Sequence, residues 1–280
     1  MKEPHYSQQF WLNRGMITDQ EVDSHSPIDE LFQNKDETQE KEETEPFVQN
    51  GSGIFDGIHW QTGSASSLHA AQKPLSLYLP ERYESNYEYP LIVWLHSDYS
   101  DEEELFDIIP QISDQNFMAI GFRGNVETQE GCKWGNSEIE RALFFSELHD
   151  TLKEFRREFH IHPKRIYLAG LGTGATMALQ GMLHYPDWFA GAIAINSLFS
   201  NVESPLARFR SLNEQRTLLI ETTASEQSFD NSNATLKAGR LLHSAGIDAT
   251  SEIYKTSEEI DPQVLLRVNH WIMQAIATSW

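Results

Sequence analysis

Short apolar runs alternate with longer amphipathic segments from about residue 54 to the end of this 280-residue chain, and this alternation constrains the fold most strongly. Runs rich in β-branched and aromatic residues, such as Leu91–Leu95, predict buried strands, and the amphipathic segments between them predict helices. Such alternation indicates βα units, with a mostly parallel sheet and helices on both of its faces. The predicted strands are Leu75–Leu79, Leu91–Leu95, Phe117–Gly121, Arg165–Leu168, Ala192–Ile195, Leu218–Glu221 and Thr250–Tyr254, and the predicted helices are Asp101–Ile112, Glu138–Phe159, Ala175–His184, Ala234–Ala245 and Pro262–Ser279.

The first fifty residues have a different composition. Residues 1–50 carry twelve acidic and four basic side chains, and the run Asn34–Pro46 contains no apolar residue. A segment that buries nothing cannot offset the entropy of becoming ordered. We therefore expect a disordered acidic N-terminal tail over residues 1–50, followed by one α/β domain over residues 54–280.

Net charge and cysteine content exclude several classes of partner. The 42 acidic and 21 basic residues give a formal charge of −21, which would repel nucleic acid and anionic membrane surfaces. The single cysteine, Cys132, excludes an intramolecular disulfide and a multi-cysteine metal site, and we expect an unreactive thiol. The sequence also predicts no membrane span, since no run reaches the roughly 18 apolar residues required. We expect a cytoplasmic protein without metal or cofactor, whose partner is an unknown small molecule or protein.

One short stretch is typical of a catalytic turn. Residues 165–179, RIYLAGLGTGATMAL, pass from a predicted strand through a glycine cluster into a predicted helix. In hydrolases, the pattern Gly-x-Ser-x-Gly at such a turn presents a serine nucleophile. Here the five residues are Gly170-Leu171-Gly172-Thr173-Gly174, so the glycine at position 172 stands where the serine would be.

Further stretches have a familiar order along the chain. They are LSLYLPERYESNYEYPLIVWLHSDYSDEEELF at 75–106, HIHPKRIYLAGLGTGATMALQGMLHYPDWFAGAIAINSLF at 160–199, LLHSAGIDATSEIY at 241–254 and SEEIDPQVLLRVNHWI at 257–272. Together they resemble the α/β-hydrolase fold, and within it the phospholipase/carboxylesterase group with its esterase and depolymerase relatives. The resemblance extends from about residue 70 to the C-terminus, and the nucleophile-turn stretch is its most specific part.

The resemblance implies a serine nucleophile, a histidine base and an orienting carboxylate, and all three positions are occupied by other residues. Gly172 takes the serine position and Glu258 aligns best with the histidine position, and the position of the acid falls near Gln227, with Glu226 adjacent. No histidine occurs between His243 and His270. Ester hydrolysis by this family needs the hydroxyl, the imidazole and the carboxylate together. The resemblance therefore implies a degenerate triad.

The loop expected to bind the oxyanion is also altered. After the second matched strand the chain reads His96-Ser97-Asp98-Tyr99-Ser100, where the family has a glycine-rich segment, and we expect His96 to shape this loop. An inward-pointing Asp98 would oppose a developing negative charge. The candidates for ligand or oxyanion contact are Ser97, Thr173 and Arg123. Arg123 near the helix N-terminus at Thr173 would suit a carboxylate ligand; the alternative is an ion pair between Arg123 and one of the chain's many acids.

Three functional hypotheses follow. The leading one is a fold that has lost catalysis and serves in ligand or protein binding. The second is an active carboxylic-ester hydrolase with an unrecognised nucleophile, for which Thr173, Ser197 and Ser200 are the candidates. The third makes the acidic tail the functional part and the folded domain its carrier.

Overall fold

A computed structural model describes residues 74–135, 137–198, 215–223, 229–256 and 260–278 of the chain. For the strands at 52–55, 58–61 and 66–69, and for residues 229–232, it describes the backbone alone. The predicted tail at 1–50 lies outside the described residues, as do Ser200, Gln227 and Glu258.

The described elements alternate between strands and helices. The strands are β1 (Ser52–Phe55), β2 (Ile58–Gln61), β3 (Ser66–His69), β4 (Pro74–Tyr78), β5 (Tyr89–Leu95), β6 (Met118–Phe122), β7 (Val126–Thr128), β8 (Gly131–Lys133), β9 (Ile161–Leu171), β10 (Gly191–Ile195), β11 (Arg216–Thr223) and β12 (Asp248–Lys255). The helices are α1 (Leu105–Ile112), α2 (Glu138–Glu158), α3 (Thr173–His184), α4 (Phe229–Ser244) and α5 (Pro262–Ala277), with 3₁₀ turns at Glu102–Glu104 and Pro186–Trp188.

Eight strands form one sheet in the order β12-β11-β10-β9-β5-β6-β4-β3. The pairs from β12 to β6 are parallel, and β4 is antiparallel to both β6 and β3. The strand β5, YPLIVWL, is buried along its whole length, as parallel strands covered on both faces usually are. Its Leu91 and Val93 enter one core layer, and Ile92 and Trp94 enter the other.

Helices cover both faces of the sheet. Apolar residues of α1 and α5, including Ile109, Val268 and Ile272, pack on one face together with β5, β9 and β10. Side chains from α2 and α3, including Phe145 and Met177, pack on the other face. Side chains of α4 pack on this same face, next to β11. No helix in the described part of the chain is both long and apolar enough to cross a membrane.

The predicted fold class is confirmed, and each predicted strand and helix is present with shifted ends. The prediction that a helix begins at Asp101 is wrong, because the Asp101 carboxylate accepts a hydrogen bond from the Glu103 N–H and starts a 3₁₀ turn, so α1 begins at Leu105. The last helix ends at Ala277 rather than at Ser279. Sequence analysis missed the short strands β1–β3 and the β7–β8 hairpin.

The strand order reverses between β5 and β9, and in open α/β sheets such a reversal leaves a crevice outside the carboxyl ends of the two strands. From β5 the chain continues to β6 on one side, whereas from β9 it continues through β10, β11 and β12 on the other. The two strands are parallel neighbours, and Leu95 is paired with Gly170. In open α/β sheets ligands bind at the carboxyl ends of strands where the order reverses in this way. The residues that follow Leu95 and Leu171 are therefore the candidates for ligand contact.

Candidate functional site

Gly172 forms a sharp turn, which we call the elbow, between β9 and α3. Its φ of 58° and ψ of −116° are accessible mainly to glycine, and its N–H donates to the Ile195 carbonyl oxygen at 2.9 Å. A Cβ atom built on Gly172 would have nothing within 4 Å. The backbone thus keeps a conformation that presents a side chain to open space, and no side chain is there.

The flanking glycines have a different role, because they permit close packing. A Cβ on Gly170 would lie 2.6 Å from the Leu95 carbonyl oxygen, and one on Gly174 would overlap the carbonyl oxygens of both Leu95 and His96. Real Cβ atoms do not approach backbone this closely. The pattern Gly-x-Gly-x-Gly therefore combines one turn position with two contact positions, and it brings the start of α3 against the end of β5.

Thr173, the first residue of α3, contacts the loop after β5. Its Oγ1 donates a hydrogen bond to Asp98 Oδ1 at 2.9 Å. The Asp98 carboxylate therefore lies beside the helix N-terminus, where a hydrolase needs donors for its oxyanion. This is the inward orientation that would oppose a developing negative charge.

Ser97, the second candidate for contact with a ligand, is hydrogen-bonded to the carboxylate of Glu104. Its N–H lies 3.2 Å from both carboxylate oxygens of Glu104, and its Oγ donates to Glu104 Oε2 at 2.8 Å. Trp94 Nε1 donates to the same carboxylate at 2.9 Å. Glu104 thus holds the end of β5 and the start of the loop together.

Arg123, the third candidate, forms a bidentate ion pair. Its Nε and Nη2 donate to the two carboxylate oxygens of Glu102 at 2.6 and 2.7 Å. Glu102 is 1% exposed and the Arg123 side chain 31% exposed. The hydrogen bonds to Glu102 raise the pKa of Arg123 above its usual value. The ion-paired alternative for Arg123 is thus the arrangement observed.

His96 supports the loop through its neutral ring, as expected. The side chain is fully buried, and Nε2 accepts the Gly124 N–H at 2.8 Å. Nδ1 must then carry the proton, which it donates to the Ser97 carbonyl oxygen at 2.6 Å. Trp134 Nε1 donates to the His96 carbonyl oxygen at 2.9 Å. His96 therefore ties the end of β5 to the loop that follows β6.

Burial lowers the pKa of His96 below 6.5 because it disfavours the charged ring, although Glu104, Asp101 and Glu102 act in the opposite direction. The unfolded chain therefore binds more protons than the folded one once the pH falls below about 6.5. We expect the free energy of unfolding to decrease on acidification, with a contribution from His96 of at most about 1.4 kcal/mol per pH unit.

Urea unfolding between pH 7.5 and 5 measures this dependence. His96→Gln should make it shallower, and His160→Gln, at an exposed position, should leave it as in the wild type. An equal pH dependence in the wild type and His96→Gln would contradict the prediction.

The β7–β8 hairpin fixes the outer part of the loop. Tyr99 N–H donates to the Cys132 carbonyl oxygen, and Cys132 N–H donates to that of Ser100, both at 2.9 Å. Tyr99 has a φ of 67°, and the Lys133 ammonium donates to its hydroxyl at 2.6 Å. The turn residues Gln129-Glu130-Gly131 were a signal for this hairpin. Burial raises the pKa of Cys132, in agreement with the expected unreactive thiol.

Of the remaining candidates, Ser197 lies within the described ranges, and its segment contacts the elbow and the start of α3: the Ile195 carbonyl oxygen accepts from Gly172, and the Leu198 N–H donates to Thr176 Oγ1 at 3.1 Å. Ser197 follows β10, one strand away, where Asn196 is paired with Thr222 through Nδ2–Oγ1 and N–Oδ1 hydrogen bonds of 2.8 and 2.7 Å. In the described ranges, no three His, Cys, Asp or Glu side chains form a group that could hold a metal ion. The structure thus brings Gly172, Thr173, Ser97 and Asp98 together, with Arg123 attached through Glu102.

Comparisons with known proteins agree with this fold. The chain matches the model of the Esterase family, described as "Putative esterase", over residues 66–251. Its fold is similar to that of a carboxylesterase from Mesorhizobium loti, with 18% identity, a TM-score of 0.60, and coverage of 72% of this chain and 94% of that one. A carboxylesterase from Bacillus cereus gives 18% identity, a TM-score of 0.56 and coverage of 67% and 89%.

A third similar structure is substrate-bound FphF, a fluorophosphonate-binding serine hydrolase from Staphylococcus aureus, with 14% identity, a TM-score of 0.55, and coverage of 75% of this chain and 98% of that one. Identities this low support the fold alone. A comparison with curated proteins finds no match. The family match covers more than half of the chain and includes β5, the elbow and the flanking strands, so the chain belongs to the esterase family and has its α/β-hydrolase fold.

Proposed function

We propose that this member of the esterase family does not hydrolyse esters and uses the crevice at its elbow to bind a small molecule or a protein. The observation that carries the proposal is Gly172, which occupies the elbow in the strained conformation of a nucleophile and has no atom to attack an ester. The open space above Gly172 remains available to a ligand.

Thr173 is the hydroxyl nearest to the elbow in sequence, and its surroundings do not favour catalysis. Its hydroxyl donates to the Asp98 carboxylate, so the group that accepts its proton is a carboxylate and not an imidazole. Hydroxyl nucleophiles in this family use an imidazole whose pKa is near neutrality. At the position of that imidazole the sequence has Glu258, and at the position of its orienting acid it has Gln227.

Purified full-length protein tests the proposal with 4-nitrophenyl acetate and butyrate, together with a fluorophosphonate probe and intact-mass analysis. We expect the wild type to release nitrophenol no faster than the Thr173→Val variant, which lacks the hydroxyl. We also expect the mass of the wild type to be unchanged after treatment with the probe. Gly172→Ser restores the elbow hydroxyl alone and should also stay inactive, because the sequence supplies no histidine between His243 and His270.

The opposite result would favour the alternative, an active carboxylic-ester hydrolase. A stoichiometric burst of nitrophenol, with the probe attached to Thr173 or to Ser197, would establish a covalent intermediate. Loss of the burst in Thr173→Val or in Ser197→Ala would identify the nucleophile. The two hypotheses therefore predict different rates of nitrophenol release, and only the second predicts a residue labelled by the probe.

Binding without turnover has its own test. Saturation-transfer NMR with 4-nitrophenyl butyrate should show contact with the wild-type protein and none with Gly172→Phe, whose ring would fill the open space. The Ser244→Phe variant places the same ring on an exposed position of α4 and should bind as the wild type does. Equal binding by the wild type and Gly172→Phe would place the ligand elsewhere.

Two further parts of the proposal concern the whole chain. We place the protein in the cytoplasm because its one cysteine offers no internal disulfide. We also infer that residues 1–50 form an acidic tail outside the α/β domain, since twelve of them are acidic and the run 34–46 has no apolar residue to bury. Limited proteolysis followed by mass spectrometry tests this second part, and we expect cleavage within residues 34–46 before any cleavage in the domain.

A further inference from the structure

The acidic segment after β5 supplies a carboxylate to each of the three side chains that the sequence suggested for contact with a ligand or oxyanion. This segment, Asp98–Glu104, contains five acidic residues. Asp98 accepts from Thr173, Glu104 accepts from Ser97, and Glu102 accepts from Arg123. The three donors belong to α3, to the loop after β5 and to the residue after β6, so they come from different elements and converge on one segment.

Among the described residues, Asp98 accepts fewer hydrogen bonds than the other two acids, and no cation is bound to it. Glu102 is neutralised by Arg123, and Glu104 accepts hydrogen bonds from the Trp94 indole and from Ser97. Asp98 has one hydrogen bond, from an uncharged hydroxyl. Lys133 is near enough for an electrostatic effect, but its ammonium is held at the Tyr99 hydroxyl and lies 3.8 Å from the centre of that ring.

From this arrangement we propose that Asp98 is a selectivity residue that closes the elbow crevice to anionic ligands and leaves it open to uncharged and cationic ones. The N-terminus of α3 would otherwise attract an anion through its backbone N–H groups and dipole. The Asp98 carboxylate, which is hydrogen-bonded to the hydroxyl of the first residue of that helix, already places a negative charge there. A second anion would be repelled by the first at a separation of a few ångströms.

The inference goes beyond the proposed function, because it concerns the charge of the ligand and holds whether or not the chain hydrolyses esters. The charge of Asp98 would also affect catalysis at the elbow. A tetrahedral intermediate carries its negative charge next to the N–H that follows the elbow residue. Asp98 would therefore oppose such an intermediate even in a variant that carried a nucleophile.

The test is a titration of uniformly ¹⁵N-labelled full-length protein with inorganic phosphate, followed through the amide signals of Thr173 and Gly174. Asp98→Asn removes the charge and keeps an oxygen that can accept from Thr173. We expect saturable shifts in Asp98→Asn, with phosphate affinity raised at least about tenfold over the wild type. Asp107→Asn, the same change at an exposed position on α1, should behave as the wild type does.

Two results would overturn the inference. One is wild-type protein that binds phosphate at these amides as tightly as Asp98→Asn does. The other is a folded Asp98→Asn variant that shows no saturable shift. Asp98→Ser, which offers a smaller neutral acceptor, replaces Asp98→Asn if the amide disturbs the loop. Neither readout depends on ester turnover, so failure here is distinguishable from failure of the proposed function.

Discussion

Gly174→Ala is expected to lower the free energy of unfolding by at least about 4 kcal/mol, and this is the largest effect that we predict for a single methyl group. The added Cβ would overlap the carbonyl oxygens of Leu95, at the end of the central strand β5, and of His96, directly after it. Neither backbone group can move aside without breaking sheet pairing or the His96 contacts. Helix propensity alone would favour alanine by about 1 kcal/mol, so the expected sign is opposite to that of an isolated helix.

Guanidinium unfolding measures this effect, and Gly172→Ala is its matched control. A Cβ at Gly172 meets nothing within 4 Å, so only the positive φ should cost energy, about 1–3 kcal/mol. Destabilisation of the two variants by equal amounts would show that α3 is not in tight contact with the end of β5.

Glu102→Ala is expected to lower the free energy of unfolding by about 2–3 kcal/mol. The substitution leaves the Arg123 guanidinium without the carboxylate that accepts both of its hydrogen bonds. Breaking a fully buried pair costs about 3–5 kcal/mol, and we expect less here because Arg123 is 31% exposed and can regain water. The same unfolding measurement at moderate ionic strength gives the value.

The neighbouring Glu103→Ala provides the control for Glu102→Ala, because Glu103 is exposed in the same 3₁₀ turn. We expect this control to change the free energy of unfolding by about 0.5 kcal/mol or less. A double-mutant cycle with Arg123→Ala then isolates the coupling between Glu102 and Arg123. Coupling below about 0.5 kcal/mol would contradict a stabilising pair.

Much of the fold could be predicted because its signals are local. The run LIVWL has no polar residue over five positions, which requires burial on both sides, and β5 is buried throughout. Ser137 and Glu140 form a capping box at the start of α2, close to the predicted start of that helix. The end of β9 and the elbow were predictable for the same reason, since the glycine spacing is readable within five residues.

Short elements without apolar alternation were not predicted. The β7–β8 hairpin is short, and Val126, Glu127 and Thr128 are all exposed, so no apolar alternation marks the first strand. Its structural role comes from Cys132, whose backbone pairs with Tyr99 and Ser100 more than thirty residues earlier in the chain. Pairing across such a separation leaves no periodic trace in either segment.

The sequence by itself determined the α/β class and the absence of a nucleophilic side chain at Gly172, because periodicity and residue identity at a turn are local properties. The α/β-hydrolase fold was expected from the resemblance of four stretches to that family. Only the tertiary structure decided which carboxylate meets which donor. Asp98, Glu102 and Glu104 are alike in sequence, yet each accepts from a different element. Their partners depend on how the His96 contacts and the β7–β8 hairpin position the loop. A hydrogen bond requires a separation of about 3 Å, and only folding brings these groups that close.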